Sequence, residues 1–270
     1  MKYCKFLSPS GSPRYAHVEE RDGVLWASAL MEPPVEDLAA QLAILDSPEP
    51  FTAAPLSALQ LLPPVSPSKI LRIGRNYKEH AAELGNEVPA EPLLFLKPPS
   101  SLLAPGGTIR MPALSKRVDY EGELAIVIAR RATKIGPDED VRSYIRGYTI
   151  CNDVTARDIQ KSDGQWTRGK GWDTFCPVGP IVSNEINPLD GAAVTVTTRL
   201  NGQVKQHGST ADLIFPIAHL LRYITASITL EPGDIIPTGT PSGVGPVQPG
   251  DTVEVEIPGL SILRNTFSPE

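Results

Sequence analysis

The stretch Asp119-Tyr120-Glu121-Gly122-Glu123 runs directly into Leu124-Ala125-Ile126-Val127-Ile128. A strand's two-residue period places Val118, Tyr120, Leu124, Ile126 and Ile128 on one face. It places Asp119, Glu121 and Glu123 on the other, followed by Ala125 and Val127. The acidic face therefore turns apolar halfway along, so the strand is expected to be buried on both sides from Ala125 onward, with two carboxylates at the mouth of the core. Glu121 and Glu123 would sit about 7 Å apart at their Cα atoms, near enough to converge on one ion, and oxygen-only ligation suits Mg2+, Mn2+ or Ca2+. Taken alone, two solvated glutamates at a strand end are the plainer reading of the same pattern.

Other residues could join such a site. Tyr148-Thr149-Ile150-Cys151-Asn152-Asp153 reads as a strand ending in a carboxylate, although Asp153 fits a turn equally well. Thr155-Ala156-Arg157-Asp158 resembles a capping box opening a short helix over residues 156–161, with Arg157 and Gln160 on one face. Tyr77, Ala81 and Leu84 recur at helical spacing, with Gly85 as a stop. His80 at the edge of that face has Glu83 one turn on, placed to orient and charge its imidazole. Gly74 and Gly85 bracket this segment and would let it move as a lid. Lys170 lies between glycines in a loop rich in aromatic residues, where it can reach inward or stay solvated. Pro237-Thr238-Gly239-Thr240-Pro241-Ser242-Gly243 lacks the lysine of a phosphate-binding loop and reads as a rigid wall of hydroxyls and backbone N–H groups.

The elements that must position these residues are short. The 270 residues include 28 Pro and 22 Gly, and the breakers separate runs of Val, Ile and Thr. The fold class is thus mainly β with a few helices (α+β). Residues 1–65 are expected to form a small β-rich N-terminal domain, with strands near 2–7, 15–19 and 23–27 and a helix over 35–47. A proline-rich linker over 61–68 leads to the main domain, residues 69–270. A hairpin turns at Asn201-Gly202, and a helix over 209–225 makes His219 an ordinary structural or surface residue. A net charge of −6 without a basic run makes nucleic acid a poor partner, and no apolar run approaches a membrane span. Three cysteines in no metal-type spacing suggest reduced thiols and a cytoplasmic protein.

Five motifs occur in order: Gly74-Arg75-Asn76-Tyr77 with His80 and Glu83, Tyr120 to Ala125, Asn152 to Gln160, Trp166 to Pro180, and Thr238 to Pro246. Together they resemble the fumarylacetoacetate hydrolase family over about residues 69–267. The leading segment resembles the small N-terminal domain of some bacterial members. The resemblance implies a mixed β-sandwich roll, commonly assembled as a homodimer. It also implies one divalent ion, Mg2+ or Mn2+ (Ca2+ in a crystal), on Glu121, Glu123 and Asp153. Lys170 matches the active-site lysine, His80 and Glu83 the lid dyad, and Arg157, Gln160 and Thr240 the substrate-pocket lining.

One position departs from the larger hydrolases of the family, which carry a further Asp ligand seven residues before the lid His. Ile73 stands there. The chain therefore resembles the smaller branch that acts on acylpyruvates, oxaloacetate or hydroxymuconate-type dioic acids. A small anionic 2-oxo acid is the implied substrate. Metal-dependent hydrolysis of a C–C bond is the expected reaction, with decarboxylation or isomerisation at the same site, or a noncatalytic binding protein, as the other readings.

Overall fold

The computed structural model describes residues 1–46, 50–83, 87–189 and 193–270. Strand order in its largest sheet is Ala54–Pro55, Val24–Met31, Pro13–Arg21, Lys2–Leu7, Cys176–Ser183, Ile145–Asn152, Gly122–Ile128, Ile235–Pro237, Ile70–Gly74 and Leu93–Lys97. Gln60–Leu62 and Leu102–Leu103 pair at its sides, and the step from Ile235 to Ile70 is parallel within an otherwise antiparallel path. A five-stranded sheet, Gln203–Ser209, Thr195–Leu200, Thr252–Ile257, Ser261–Pro269 and Thr108–Met111, supplies the second layer. A three-stranded sheet joins Thr155–Ala156, Val118–Tyr120 and Gly245–Pro246. The chain is mainly β with a few helices, and among the described residues no helix is long and apolar enough to cross a membrane.

The acidic stretch occupies the junction between sheets. Val118–Tyr120 belongs to the three-stranded sheet and Gly122–Ile128 to the large one, with Glu121 at the crossing. Every residue of Gly122–Ile128 is buried, as the change from acidic to apolar on one face predicts. Leu124, Ile126 and Ile128 enter the main core with Val253, Val255 and Leu220, whereas Ala125 and Val127 pack with Tyr3, Tyr15 and Val178 on the opposite face. Gly122 is required by close approach: a Cβ there would stand 2.2 Å from Thr198 Oγ1 and 3.0 Å from Val255 Cγ1. Backbone bonds tie this crossing to the end of the neighbouring strand. Glu121 N–H donates to Asn152 Oδ1 at 2.9 Å, and Asp153 N–H donates to the Glu121 carbonyl at 2.7 Å.

Several local expectations change. Thr155 and Ala156 pair with Asp119 and Val118 as a strand, so the helix is Arg157–Asp163 and the capping box does not form. Asp158 instead accepts from Ser115 Oγ and the Lys116 N–H. The long helix over 209–225 is a 3-10 turn at Thr210–Asp212 followed by Ile217–Thr225, because Pro216 at the N-cap holds Phe215 out of helical geometry. His219 on that helix stacks between Phe215 and Tyr223. The stretch 61–68 is packed: Gln60–Leu62 pairs with Lys2–Leu7, and Val65 is buried. Asn201 and Gly202 both adopt positive φ, 52° and 79°, as a two-residue hairpin of this type requires. The N-terminal helix is Leu38–Asp46. Ser47, Leu84 and Gly85, which enter the expected helix ends and lid boundary, lie outside the described residues.

Gly122→Ala is expected to lower the unfolding free energy by about 1–3 kcal/mol through overpacking. Urea denaturation reads this as a lower midpoint at constant slope; an unchanged midpoint would show that Thr198 and Val255 move aside freely.

Candidate active site and metal centre

Glu121 at the sheet crossing, Glu123 one strand step on, and Asp153 at the end of the adjoining strand converge. They offer carboxylate oxygens within 4.8 Å of one another, and all three residues are buried. They form the floor of a cavity of about 310 Å3 that His80, Arg157, Gln160, Lys170 and Thr240 also line. Eight of the nine residues singled out from the sequence therefore meet in one place. Glu83 stands behind His80.

Lys170 ends the short helix Thr167–Lys170 and reaches inward, donating to Glu121 Oε2 at 2.8 Å and Asp153 Oδ2 at 2.7 Å. Arg157 divides its guanidinium among Asp119 Oδ2 at 2.9 Å, Gln160 Oε1 at 2.8 Å and a short contact to Glu121 Oε1. Thr240 donates its hydroxyl to the Gly122 carbonyl at 2.9 Å and accepts from Gln206 Nε2 at 2.8 Å, while Gly239 N–H donates to Glu123 Oε2 at 3.0 Å. The Gly-rich wall thus holds the acidic strand as well as lining the cavity.

Two cations escaped the sequence reading. Arg72 and Lys97 are fully buried behind the triad. Lys97 Nζ donates to Asp153 Oδ1 at 2.8 Å and to the Phe175 carbonyl at 2.6 Å. Arg72 Nη1 lies 3.4 Å from Asp153 and 3.7 Å from Glu123, and Nη2 donates to Cys151 and Cys176 sulfurs at 2.8 and 3.1 Å. A lone charge inside each of the apolar runs Ile70-Leu71-Arg72-Ile73 and Leu93-Leu94-Phe95-Leu96-Lys97 was the available signal, because a buried cation demands a buried partner.

These contacts set the charge states. Burial works against ionised Glu121, but Lys170 and Arg157 outweigh it and hold the carboxyl down at about 2. Burial likewise opposes the charge on Asp153, and Arg72, Lys170 and Lys97 hold its pKa well below the usual carboxylate range. Glu123 goes the other way: burial pushes it up to about 8, with Arg72 only partly offsetting the rise. Three converging oxygens, one on a carboxyl that the protein's own cations fail to keep ionised, fit a hard divalent cation such as Mg2+ or Mn2+.

His80 and Glu83 lie on the helix Lys78–Glu83, with Nδ1 and Oε2 3.5 Å apart. The expected orienting hydrogen bond is not formed, and His80 Nδ1 has no hydrogen-bond partner. Burial lowers the pKa of His80 more than Glu121 and Glu83 raise it, so the imidazole is neutral rather than charged. Glu83 instead accepts from Gly243 N–H at 3.1 and 3.2 Å, and Ser242 Oγ donates to Glu79. The short helix is thereby docked on the Gly-rich wall.

Ionisable groups of both signs, buried around one cavity and strongly perturbed, define the interior of an enzyme. The chain belongs to the family described as fumarylacetoacetate (FAA) hydrolase, C-terminal, whose model matches residues 69–268. It is 47% identical over 201 residues to the mitochondrial oxaloacetate decarboxylase of Dictyostelium discoideum, covering 71% of this chain and 89% of that one. It is 40% identical over 222 residues to the oxaloacetate tautomerase YisK of Bacillus subtilis, covering 78% of this chain and 73% of that one. The crystal structure of 2-hydroxyhepta-2,4-diene-1,7-dioate isomerase from Mycobacterium marinum superposes with a TM-score of 0.83 at 40% identity, covering 100% of this chain and 99% of that one.

Two outcomes follow from the charge balance. Arg72→Met strands Glu123 and Asp153 beside fewer cations and is expected to cost about 3–5 kcal/mol of stability, read by chemical denaturation without added metal. Mg2+ or Mn2+ at a hundredfold excess over its Kd is expected to stabilise the wild type by about 2.7 kcal/mol, and Glu123→Ala to abolish the thermal shift. An equal shift in wild type and Glu123→Ala would remove the triad as the site.

Proposed function

We propose that this chain is a divalent-metal-dependent enzyme that hydrolyses a C–C bond in a small 2-oxo acid of the acylpyruvate type. The observation that carries the reading is the buried triad Glu121, Glu123 and Asp153 on the cavity floor, with Lys170 bridging two of its members. A divalent cation held by those three carboxylates would supply Lewis-acid stabilisation of negative charge on the substrate's 2-oxo oxygen.

The chain's own residues do the rest. Lys170 is positioned at the same floor to donate to the oxygen on which enolate charge develops. The neutral imidazole of His80 takes a proton from the water that attacks the distal carbonyl, and Glu83, beside it, steadies the imidazolium that results. Arg157 and Gln160, bonded to each other, present a fixed polar wall to the substrate.

Decarboxylation of oxaloacetate is the second reading, favoured by the 47% identity to an oxaloacetate decarboxylase. Loss of CO2 leaves the same enolate and needs no attacking water, so His80 would protonate product rather than activate water.

Pyruvate release from acetylpyruvate and from oxaloacetate, each with Mg2+ and with the metal-only background subtracted, separates the two. Hydrolysis predicts release from acetylpyruvate that Glu121→Ala abolishes; release from oxaloacetate alone makes the enzyme a decarboxylase. The pH profile carries a further expectation. His80 works as a base in its neutral form, and burial lowers its pKa, so kcat/KM for hydrolysis should begin to fall only below the ordinary imidazole value near 6.5. His80→Ala should remove that acid limb along with most of the turnover, by about 10²–10⁴-fold.

A further inference from the structure

The strand Gln203–Ser209 inverts the usual pattern of a sheet edge. Its apolar Val204 is exposed, while Gln206 is fully buried on a strand whose other residues are exposed or half-buried. A buried amide has to find partners for both its ends. Pairing with the strand Thr195–Leu200 shifts register at this point, from Gln206 opposite Thr198 to Val204 opposite Arg199, and such a bulge re-aims the side chains beside it.

Gln206 points into a closed ring of hydrogen bonds. Its Oε1 accepts from the Gly122 N–H at 3.0 Å, and its Nε2 donates to Thr240 Oγ1 and to the Pro241 carbonyl, each at 2.8 Å. These roles cannot be exchanged, because a backbone N–H only donates and a carbonyl only accepts. Thr240, accepting from Gln206, turns its own hydroxyl to the Gly122 carbonyl at 2.9 Å, and the ring closes on Gly122.

Gly122 separates two of the three carboxylates of the triad. Its N–H belongs to the peptide that leads from Glu121 and its carbonyl to the peptide that leads to Glu123. The ring therefore fixes both peptide planes, and with them the directions in which the two glutamate side chains leave the backbone. A glycine needs that restraint, since it has no Cβ to limit φ and ψ, and Thr198 and Val255 leave no room for one. The same amide holds Pro241, two residues after Gly239, whose N–H donates to Glu123 Oε2 at 3.0 Å. The fit of strand to wall is close: a Cβ on Gly208 would stand 2.4 Å from that of Pro241. One side chain from the five-stranded sheet thus restrains the acidic crossing and the wall beside it.

We propose that Gln206 is a positioning residue of the metal centre, holding Glu121 and Glu123 at the spacing that one small divalent ion requires. This rests on the reading of the triad as a metal site and adds the device that sets its dimensions. Gln206 stands outside the cavity lining and acts through Gly122 and Thr240.

The test titrates Mg2+ and Ca2+ calorimetrically into the wild type, Gln206→Met and Thr225→Val. Met keeps the length of the side chain and removes its hydrogen bonds. Thr225→Val removes a buried hydrogen bond to the Leu221 carbonyl, outside the cavity lining, and controls for loss of stability alone. Mg2+ demands near-regular octahedral geometry, whereas Ca2+ accepts irregular coordination. Gln206→Met should therefore weaken Mg2+ binding about ten- to a hundredfold and Ca2+ binding less, while Thr225→Val leaves both Kd values unchanged. Gln206→Asn, too short to reach Gly122 and Pro241 together, should show the same skew and serves if the Met variant does not fold. Unchanged Mg2+ affinity, or an equal loss for both ions, overturns the assignment and leaves the triad as a metal site. Binding of neither ion by the wild type overturns that reading and the assignment with it.

Discussion

Four carboxylates, those of Asp119, Glu121, Glu123 and Asp153, are buried where the three-stranded sheet meets the ends of two neighbouring inner strands of the large sheet, and most of the local architecture answers to their charge. Buried ions are tolerated only when paired and hydrogen-bonded. Arg72 and Lys97 approach from strands on the same sheet, Lys170 from the short helix Thr167–Lys170, and Arg157 from the helix Arg157–Asp163. Each cation comes from a different element, so the pairing draws four stretches of chain together. The uneven result, with Glu121 and Asp153 held ionised and Glu123 pushed toward neutrality, keeps an attraction for further positive charge.

The cavity's second wall is organised by backbone. Gly239 adopts φ 105° and approaches Asn76 so closely that a Cβ would meet its side chain at 2.8 Å. That contact joins the Gly-rich wall to the segment that carries Arg75 and leads into His80. Glu83 and Glu79 then dock the short helix on Gly243 and Ser242. His80 is shielded in this closed arrangement, which is why its imidazole stays neutral beside two carboxylates. The Glu79 and Glu83 hydrogen bonds that hold this helix to the wall are exposed to solvent, so they break and re-form at small cost.

The triad was legible only in combination: alone, Glu121 and Glu123 read more plainly as solvated residues at a strand end and Asp153 fitted a turn equally well, until the ordered motifs and the family they resemble joined the three. The ordering of five motifs then tied Lys170, His80 and Thr240 to the same place. What the sequence hid were consequences of tertiary packing. Arg72 and Lys97 carry a single local mark of their depth, a lone charge in an apolar run, and their role depends on a carboxylate 81 and 56 residues away, respectively. Thr155 and Ala156 matched a capping pattern, yet pairing with Asp119 and Val118 overrode that local preference. At His80, Glu83 at one turn's spacing favours a charged imidazole, but desolvation, invisible in spacing, is the larger influence.

The first 62 residues bear on the site through the sheet itself. Lys2 and Tyr3 pair with Ser183 and Val182, so the N-terminal strands continue the large sheet beyond the strand Cys176–Ser183. Side-chain pairs reinforce that edge: Arg146, on the strand that ends at Asn152, is clamped by Glu36, and Tyr15 donates to Asp37 at 2.7 Å while Lys5 pairs with the same carboxylate. Cys176 and Cys151 stand opposite Arg72 on the two strands so braced, one residue before Pro177 and two before Asp153. A displacement of this edge would reach Asp153 through its own strand, without any N-terminal residue entering the cavity. The N-terminal strands therefore flank the strands that lead to Asp153, and their packing bears on the position of that carboxylate.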